Sequence, residues 1–422
     1  MTEAAASVPV DPGSTAWMLV SSAMVLLMVP GLALFYGGLV RRKNVLSTML
    51  HSFAAMGVIG VQWILVGYAL AFGSSVGGWI GWDPTLLGLS GLPYTRNFAD
   101  KAIPELVFVM FQGKFAIITP ALISGAIAER MKFSAFVWFV LLWTTFVYCP
   151  LAHWVWSSGG WLYRLGVLDF AGGTVVHISS GFSALVLALM LGPRRDYRPG
   201  RSAILPHNLT LTMLGAGLLW FGWFGFNAGS AVAADHPVAG HIAGLAFATT
   251  QSAAAAGGLT WLLLEWWHQR RPTSLGVVSG ILAGLVAITP AAGHVTPLAA
   301  LGFGMLAAAA CYAAVQAKSR FEYDDALDAF GVHGIGGLTG ALLTGVFCFT
   351  PVAGLIAGGG FAQLGRQALG AGVAIVFAAA GTFVIARVLG ATIGLRTSDD
   401  QERDGLDVTV HGERAYHHVV SS

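Results

Sequence analysis

Two stretches of the chain carry the same pattern: residues 169–181 read DFAGGTVVHISSG, and residues 325–337 read DALDAFGVHGIGG. In each stretch an aspartate is followed by seven residues, a histidine, three residues and a glycine, so His177 and His333 occupy equivalent positions. Both histidines fall in long apolar segments, where an ionisable side chain is costly and is therefore a functional candidate. The repeated pattern indicates two related halves.

The composition is typical of membrane proteins. Of 422 residues, 56% are hydrophobic and only 10% are charged, whereas soluble globular chains contain about 25% charged residues. The formal net charge of +2 favours neither nucleic acid nor another polyanion as a partner. The cysteines Cys149, Cys311 and Cys348 are scattered through apolar stretches, so we predict no metal or cofactor site.

Apolar segments of roughly 20 residues, the length that crosses a membrane, recur along most of the chain. We predict eleven such spans, and the break between the eighth and the ninth is supported by the turn chemistry from Pro290 to Pro297. The predicted spans are 15–39, 48–73, 104–128, 134–151, 169–191, 207–230, 239–267, 274–292, 297–317, 329–349 and 368–394. The predicted fold is therefore an all-α integral membrane protein.

The distribution of lysine and arginine among the loops predicts the orientation. Every second loop is basic, beginning after the first span, and the alternate loops hold few basic residues. The basic loops contain Arg41, Arg42 and Lys43; Arg130 and Lys132; Arg194, Arg195, Arg198 and Arg201; Arg270 and Arg271; and Lys318 and Arg320. By the positive-inside rule the N-terminus lies outside, and an odd number of spans puts the C-terminus inside.

The two halves are expected to be inverted, because a unit of five spans returns the chain on the opposite side of the membrane. The first repeat covers roughly residues 15–191 and the second residues 207–349, followed by a final helix at 368–394. Each histidine lies eight residues, or roughly 12 Å of helix rise, from its aspartate. Asp169 starts at the outer face and Asp325 near the inner face, so both imidazoles should meet near the membrane centre.

Five segments, in order along the chain, resemble the ammonium transporter family (Amt/Mep/Rh), and they are most similar to bacterial and plant-type Amt sequences. They are FQGKFAIITPALISGAIAER from residue 111, DFAGGTVVHISSG from 169, WFGWFGFNAGSA from 220, DDALDAFGVHG from 324 and GLDVTVHGERAY from 405. The resemblance runs from the first span to the tail. It implies an ammonium transporter of the cell membrane, not an enzyme, that forms a homotrimer with one pore per subunit.

The resemblance also implies roles for particular residues. The outer recruitment site contains Phe115, Trp156 and Ser230, with Asp169 shaping it; the gate rings are Phe115 and Phe226; the pore contains Trp223 and the hydrogen-bonded pair His177 and His333. Asp325 and Asp328 precede the tenth span, and from this position we expect them in the inner vestibule. Asp169 and at least one of the other two aspartates are also suited to cap the helix that follows them.

Aromatic rings suit this substrate, because the face of a ring attracts a cation by roughly 0.5–2 kcal/mol. Two neutral imidazoles in contact can pass a proton or hold a small polar guest. Lys114, directly beside Phe115, fits less well, since a charge facing the recruitment site would repel ammonium. Consecutive helical residues point about 100° apart, so we expect Lys114 to reach the outer surface or a subunit interface instead.

The expected mechanism is that ammonium loses its proton at the outer site and crosses the apolar pore as NH3, with or without the proton. One alternative is an ammonium sensor that transports little, although a tail of about 28 residues is short for a signalling domain. A pore for water, glycerol or a gas is a third class, but it would need no aromatic cation site.

The transmembrane domain is predicted at residues 1–394 and a cytoplasmic regulatory tail at residues 395–422. Composition alone would make this charged tail disordered, but its resemblance to the family tail predicts an ordered segment docked on the basic loops. The expected partners are ammonium or methylammonium, membrane lipid, further copies of the chain in a homotrimer, and a PII-type nitrogen-signalling protein at the cytoplasmic face.

Overall fold

The computed structural model describes residues 9–98, 101–198, 204–232 and 237–416, and helices dominate it. The long helices are Pro12–Leu39; Val45–Gln62, continued to Phe72; Glu105–Ile127; Phe133–Trp143, continued to Trp156; Gly173–Ile178, continued to Leu191; Leu209–Gly229; Pro237–Gln269; Ser274–Ile288; Pro297–Phe321; Phe330–Gly334, continued to Phe347; and Ala362–Thr392. A small antiparallel hairpin pairs Ser75–Val76 with Ile80–Gly81.

Within the described ranges, nine helices are long and apolar enough to cross a membrane. They include the two that carry the histidine motifs, Gly173–Leu191 and Phe330–Phe347. Ser274–Ile288 is apolar but shorter, and Pro237–Gln269 has 33 residues without being one of the nine. The prediction of a helical, multi-pass membrane protein is confirmed. The short hairpin was not predicted, because strands of two residues are too short to show a sequence pattern.

Several helices begin at a polar side chain that accepts a hydrogen bond from the first turn. Asn208 accepts from the backbone N–H of Leu211, Thr273 from that of Gly276, and Thr296 from that of Ala299. A helix start leaves N–H groups without backbone partners, and a bilayer core offers no water to satisfy them. These caps therefore fix where the long helices begin.

A buried cluster of charges joins four of the loops at one end of the bundle. The carboxylate of Glu129 binds Arg41 Nε at 3.0 Å and Arg194 Nη1 at 3.0 Å, and Arg194 Nε binds Asp324 at 2.8 Å. Burial opposes the charge of Glu129, but the guanidinium groups of Arg194 and Arg41 outweigh it and lower the pKa of that carboxyl below its ordinary value. The cluster therefore links the ends of four long helices.

The tail packs against the same end of the bundle. Its helices Asp399–Asp404 and Leu406–His411 lie on the loop that begins the second long helix. There Asp407 accepts hydrogen bonds from the N–H groups of Leu46 at 3.1 Å and Ser47 at 2.8 Å. A residue of the tail thus caps a membrane helix that lacks a cap of its own, since Asn44 makes no side-chain cap bond.

Replacing Glu129 by glutamine should destabilise the protein at neutral pH, because the buried Arg194 and the half-buried Arg41 lose a negative partner. The expected loss is about 3 kcal/mol, the scale measured when one member of a buried ion pair is removed. Since folding lowers the pKa of Glu129, this stabilisation is present above the ordinary pKa of a glutamate and is lost as the pH falls towards the folded value. Thermal unfolding of the purified protein, followed by tryptophan fluorescence between pH 7 and pH 4, measures both effects.

The matched control is Asp400→Asn, which removes an exposed carboxylate that pairs with Arg403 on the tail surface. It should leave the unfolding temperature nearly unchanged. A Glu129→Gln protein as stable as this control at pH 7 would show that the buried cluster contributes little.

Candidate functional site

The two helices that carry the repeated motif cross in direct contact, and the motif glycines allow it. A Cβ atom on Gly181 would lie 2.1 Å from the backbone nitrogen of Gly334, and one on Gly337 would lie 3.0 Å from Cβ of His177. The first distance is far below any real contact of a side-chain carbon. At each motif glycine the missing side chain therefore makes room for the other motif helix, which packs there close to the histidines.

The crossing brings the two histidines together. Nδ1 of His333 lies 3.3 Å from Nδ1 of His177, and the rings are nearly parallel, at 16°. Both side chains are buried, and Nε2 of His177 makes no hydrogen bond within the described part of the chain. If both rings are neutral, one Nδ1 donates and the other accepts, so one Nε2 is left as a donor and the other as an acceptor.

The backbone around each histidine forms a wider turn than an ordinary α-helix. The N–H of His177 donates to the carbonyl of Gly172, five residues earlier, and the N–H of Ile335 donates to that of Phe330. Such wide turns occur often at functional sites, because they shift a side chain relative to the rest of its helix. The shared geometry places both imidazoles on the inside of the crossing.

Both motif aspartates cap the helix that carries their histidine. The carboxylate of Asp169 accepts hydrogen bonds from the N–H groups of Gly172, Thr174 and Val175, at 2.9–3.1 Å. That of Asp325 accepts from Ala329 at 3.0 Å and Phe330 at 2.8 Å. Each aspartate is turned back onto its own helix start and acts on the histidine through the backbone.

The surroundings of Asp325 differ from those of a simple exposed cap. Burial raises the pKa of Asp325 to about 6, and the ammonium group of Lys318 opposes this effect. Lys318 also donates to the backbone carbonyl of Asp325 at 2.9 Å and pairs with the carboxylate of Asp328. The cap of the second motif is thus held by a neighbouring ion pair.

Aromatic rings continue from the histidine pair towards the end of the bundle that holds Asp169. The ring of Trp223 is nearly parallel to His177, at 5.4 Å and 21°. Phe226 lies near both of these rings, 6.1 Å from His177 and 5.8 Å from Trp223. It stacks on Phe115 with centroids 4.1 Å apart, and Phe115 and Trp156 meet edge to face at 5.9 Å. The histidines, Trp223, the stacked phenylalanines and Trp156 therefore form one continuous column of rings.

Hydrogen bonds hold the two tryptophans of this column in place. Trp156 donates from Nε1 to the backbone carbonyl of Asp169 at 2.8 Å, and Trp223 donates to the hydroxyl of Thr289 at 2.9 Å. These hydrogen bonds satisfy each indole N–H and hold the orientation of each ring. Thr289 is a positioning residue that no sequence motif indicated.

Two cavities meet at His333. The small one, of about 20 Å³, is lined by both histidines and by Trp223 and Phe226. The large one, of about 610 Å³, opens on the side of the charged cluster. Phe35, Tyr36, Leu282 and His333 line both cavities. The phenol of Tyr36 donates to the carbonyl of Leu122 at 3.0 Å, and no motif indicated this residue beyond its place in an apolar helix.

The remaining residues singled out in the sequence are Ser230, the two inner aspartates and Lys114, and they do not all line a cavity. The hydroxyl of Ser230 donates to the carbonyl of Phe226 at 2.8 Å, at the end of the same helix. Asp328 lines the large cavity, whereas Asp325 lines neither cavity because its carboxylate caps the helix. Lys114 also lines neither cavity; it is half-buried and forms no ion pair with the described residues.

Comparison with known proteins gives one consistent result. Residues 16–416 match the family described as Ammonium Transporter Family. The chain is similar to an ammonium transporter of Bacillus subtilis, with 49% identity over 96% of this chain and 98% of that protein. It also resembles the crystal structure of Saccharomyces cerevisiae Mep2, with a TM-score of 0.84 and 38% identity over 93% of this chain and 89% of that one. A structure named Sensor Amt Protein matches with a TM-score of 0.85 and 32% identity, over 94% and 97%.

Gly181→Ala should push the two motif helices apart, because the new methyl group has no space beside the backbone of Gly334. Overpacking of this kind costs about 1–3 kcal/mol. We expect a lower unfolding temperature and, in a structure of the variant, a distance between the two Nδ1 atoms longer than 3.3 Å.

The control is Gly217→Ala, on a helix face where an added Cβ has nothing within 4 Å. It should not lower the unfolding temperature. If both variants unfold alike and the histidines of Gly181→Ala remain in contact, then the glycine crossing does not set the histidine geometry.

Proposed function

The chain belongs to the ammonium transporter family, and from this premise we propose that it recruits NH4+ at Phe115 and Trp156, deprotonates it and conducts NH3 past His177 and His333. The family is one of transporters, not of enzymes. The contact between the two imidazoles, inside a lumen closed by stacked rings, is the observation that carries this proposal.

The size and polarity of the lumen favour the neutral form. A cavity needs roughly 10–15 Å³ to hold one water molecule, so the cavity of about 20 Å³ admits a single molecule of ammonia's size. It contains no charged side chain among its lining residues. Moving an ammonium-sized ion from water into a medium of low dielectric constant costs of the order of 20 kcal/mol in the ideal case, whereas NH3 needs only hydrogen-bond partners, and the free Nε2 of His177 is one.

Recruitment at the outer end is supported by the aromatic geometry. Phe115 is buried against Phe226 and meets Trp156 edge to face, whereas Trp156 is half-buried. In this proposal the aromatic rings attract the cation, with roughly 0.5–2 kcal/mol for each face. Asp169 contributes indirectly: its carbonyl fixes Trp156, and its buried carboxylate adds negative charge behind the site. Ser230 completes the site in this proposal as a hydrogen-bond acceptor, since its hydroxyl oxygen keeps free lone pairs.

We further propose eleven spans arranged as two inverted repeats with a final helix, the N-terminus outside and the C-terminus inside, in a homotrimer of the plasma membrane. Two observations support the repeats: the matched caps of Asp169 and Asp325, and the matched wide turns at the histidines. The inside assignment of the tail and the charged cluster follows from the basic loops that surround them.

An ammonium sensor with little transport is not favoured. Relatives named ammonium transporters reach 49% identity, compared with 32% for the structure named as a sensor. A pore for water, glycerol or a gas is not favoured either. Such a pore has no cation to bind, so it would need no aromatic site at its entrance, and the stacked rings would only obstruct its substrate. The proton that NH4+ releases either stays in the water on the outer side, which gives neutral transport, or follows NH3 across the membrane, which gives net charge movement.

His177→Ala should reduce uptake of labelled methylammonium into vesicles by at least about tenfold. The substitution removes the ring that faces Trp223 and leaves His333 buried without its partner, a penalty of about 1–3 kcal/mol. The control is His268→Ala, which removes an exposed imidazole that contacts the hydroxyl of Tyr312 at the end of another helix. Uptake by His177→Ala equal to that of the control would return the twin histidines to a purely structural role.

We also propose that residues 395–422 form a regulatory tail and that a PII-type signalling protein binds at the inner face. The docking of Asp407 onto the start of a membrane helix supports a link between tail and bundle. The mixed charges of the tail suit a reversible, salt-sensitive complex.

Asp407→Asn should weaken this docking, because a charged acceptor makes hydrogen bonds about twice as strong as a neutral one. The expected result is faster proteolysis of the tail together with lower methylammonium uptake. Asp404→Asn is the control, since Asp404 is exposed and, among the described residues, forms its ion pair with Arg403 on the tail itself. If Asp407→Asn matches the parent in both assays, the contact does not regulate transport.

A further inference from the structure

The side chain of Gln367, on the last long helix, makes two hydrogen bonds with a single residue of the segment that leads into Asp169. Its Oε1 accepts from the N–H of Leu168 at 2.8 Å, and its Nε2 donates to the carbonyl of Leu168 at 2.7 Å. A backbone N–H can only donate and a carbonyl can only accept, so these two partners fix which way the amide points. The side chain is 1% exposed, so loss of the amide would leave two buried backbone groups unsatisfied.

Two neighbours on the same helix face extend this contact. Gln363, one turn earlier, donates from Nε2 to the carbonyl of Gly166 at 3.0 Å and to Oε1 of Gln367 at 3.2 Å. One turn later, a Cβ atom on Gly370 would lie 2.7 Å from the side chain of Val167, so a larger residue there would push the segment away. These three positions lie on one side of a helix, and together they hold the segment against it.

The residue that follows this contact connects it with the aromatic column. The carbonyl of Asp169 accepts the hydrogen bond of Trp156 Nε1 at 2.8 Å, and its carboxylate caps the helix that follows. The next two residues donate from their N–H groups, at 3.1 and 3.2 Å, to carbonyls just after the helix Ser274–Ile288. Those bonds hold the segment from its other end. Removal of the Gln367 amide therefore frees mainly the backbone on the near side of Asp169.

We infer that Gln367 is a positioning residue for cation recruitment: it sets the place of the Asp169 carbonyl and, through that carbonyl, the orientation of the Trp156 ring. The inference rests on the proposed role of Trp156 in recruiting NH4+. A cation is attracted by the face of an indole and not by its edge, so the orientation of the ring decides the strength of the attraction. Gln367 lines neither of the two cavities, so it acts through the backbone and not on the cation itself.

A purely structural role for Gln367 predicts a different result. A buried hydrogen bond that only stabilises the fold lowers the unfolding temperature when it is lost and leaves the affinity for substrate unchanged. A positioning role changes the affinity, and it does so only while the ring of Trp156 is present. Coupling between the two positions therefore distinguishes the two roles.

The test measures uptake of labelled methylammonium into liposomes by the full-length protein, with KM and maximal rate determined separately, for Gln367→Met, Trp156→Leu and the double variant. Methionine is similar to glutamine in length but has no amide, so Leu168 loses both partners. We expect Gln367→Met to raise KM about fivefold with a smaller change in maximal rate, because a misplaced ring loses part of its attraction for the cation. In the Trp156→Leu protein, which already lacks the ring, the same substitution should raise KM by less than about twofold.

Gln367→Glu supplies a second measurement that does not depend on the folding of Gln367→Met. A glutamate can still accept from the N–H of Leu168, but only its protonated form can donate to the carbonyl. Relative to the parent at the same pH, the KM of Gln367→Glu should be raised at about pH 8.5 and restored at about pH 5.5, because burial favours the protonated acid. Methylammonium is an alkylamine and stays protonated over this range.

The control is Thr382→Val, which removes a buried hydroxyl that donates to Ser183 at 2.7 Å, about four turns further along the same helix. It should lower the unfolding temperature and keep the KM of the parent. The inference is overturned if Trp156→Leu raises KM and Gln367→Met does not, if the two substitutions raise KM independently, or if the KM of Gln367→Glu relative to the parent does not change with pH. A Trp156→Leu protein with the KM of the parent would instead contradict the proposed recruitment site, and the inference with it.

Discussion

The close crossing of the two motif helices is the constraint on which the rest of the structure depends. Where Gly181 meets the backbone of Gly334, no side chain fits, and the histidines on either side are brought to 3.3 Å. An apolar bilayer cannot hydrate an isolated imidazole, so each ring needs the other as its partner. The capping aspartates and the wide turns together determine the position of each histidine along its helix and the direction of its ring.

Charge is distributed in agreement with this arrangement. The described ion pairs around Glu129, Arg194 and Asp324 lie outside the narrow lumen, at the end of the bundle where the loops and the tail meet. The lumen itself is lined by aromatic and aliphatic side chains and by the two histidines. In the proposed mechanism the ring faces attract a cation at the outer end, and the absence of a charged side chain from the lining of the small cavity then favours transfer of the neutral molecule.

Much of this could be predicted from the sequence, because the pattern of aspartate, histidine and glycine is periodic and its spacing converts directly into height along a helix. The meeting of His177 and His333 was predicted from that spacing together with the proposed inversion of the halves, and the contact between the two rings agrees with it. The pairing of Gly181 with the opposite motif does not follow, since a contact between distant helices leaves no local signature. Tyr36 and Thr289 were missed for the same reason: each acts by position in the tertiary structure. Asp325 and Asp328 were predicted in the inner vestibule from their position before the tenth span, with a cap role for at least one of them. Asp325 is the one that caps, through its hydrogen bonds from Ala329 and Phe330, and which of the two does so depends on a loop whose path the sequence does not specify.

The central claim is that only a substrate able to give up a proton passes the histidine pair. Potassium tests it most directly, because K+ resembles ammonium in size and charge but cannot be deprotonated. The measurement is K+ flux into liposomes that contain the purified protein, compared with ammonium flux in the same preparation. The account predicts rapid ammonium entry with K+ flux no higher than in protein-free liposomes. K+ entry comparable to that of ammonium would show that an intact cation crosses, and it would contradict the account.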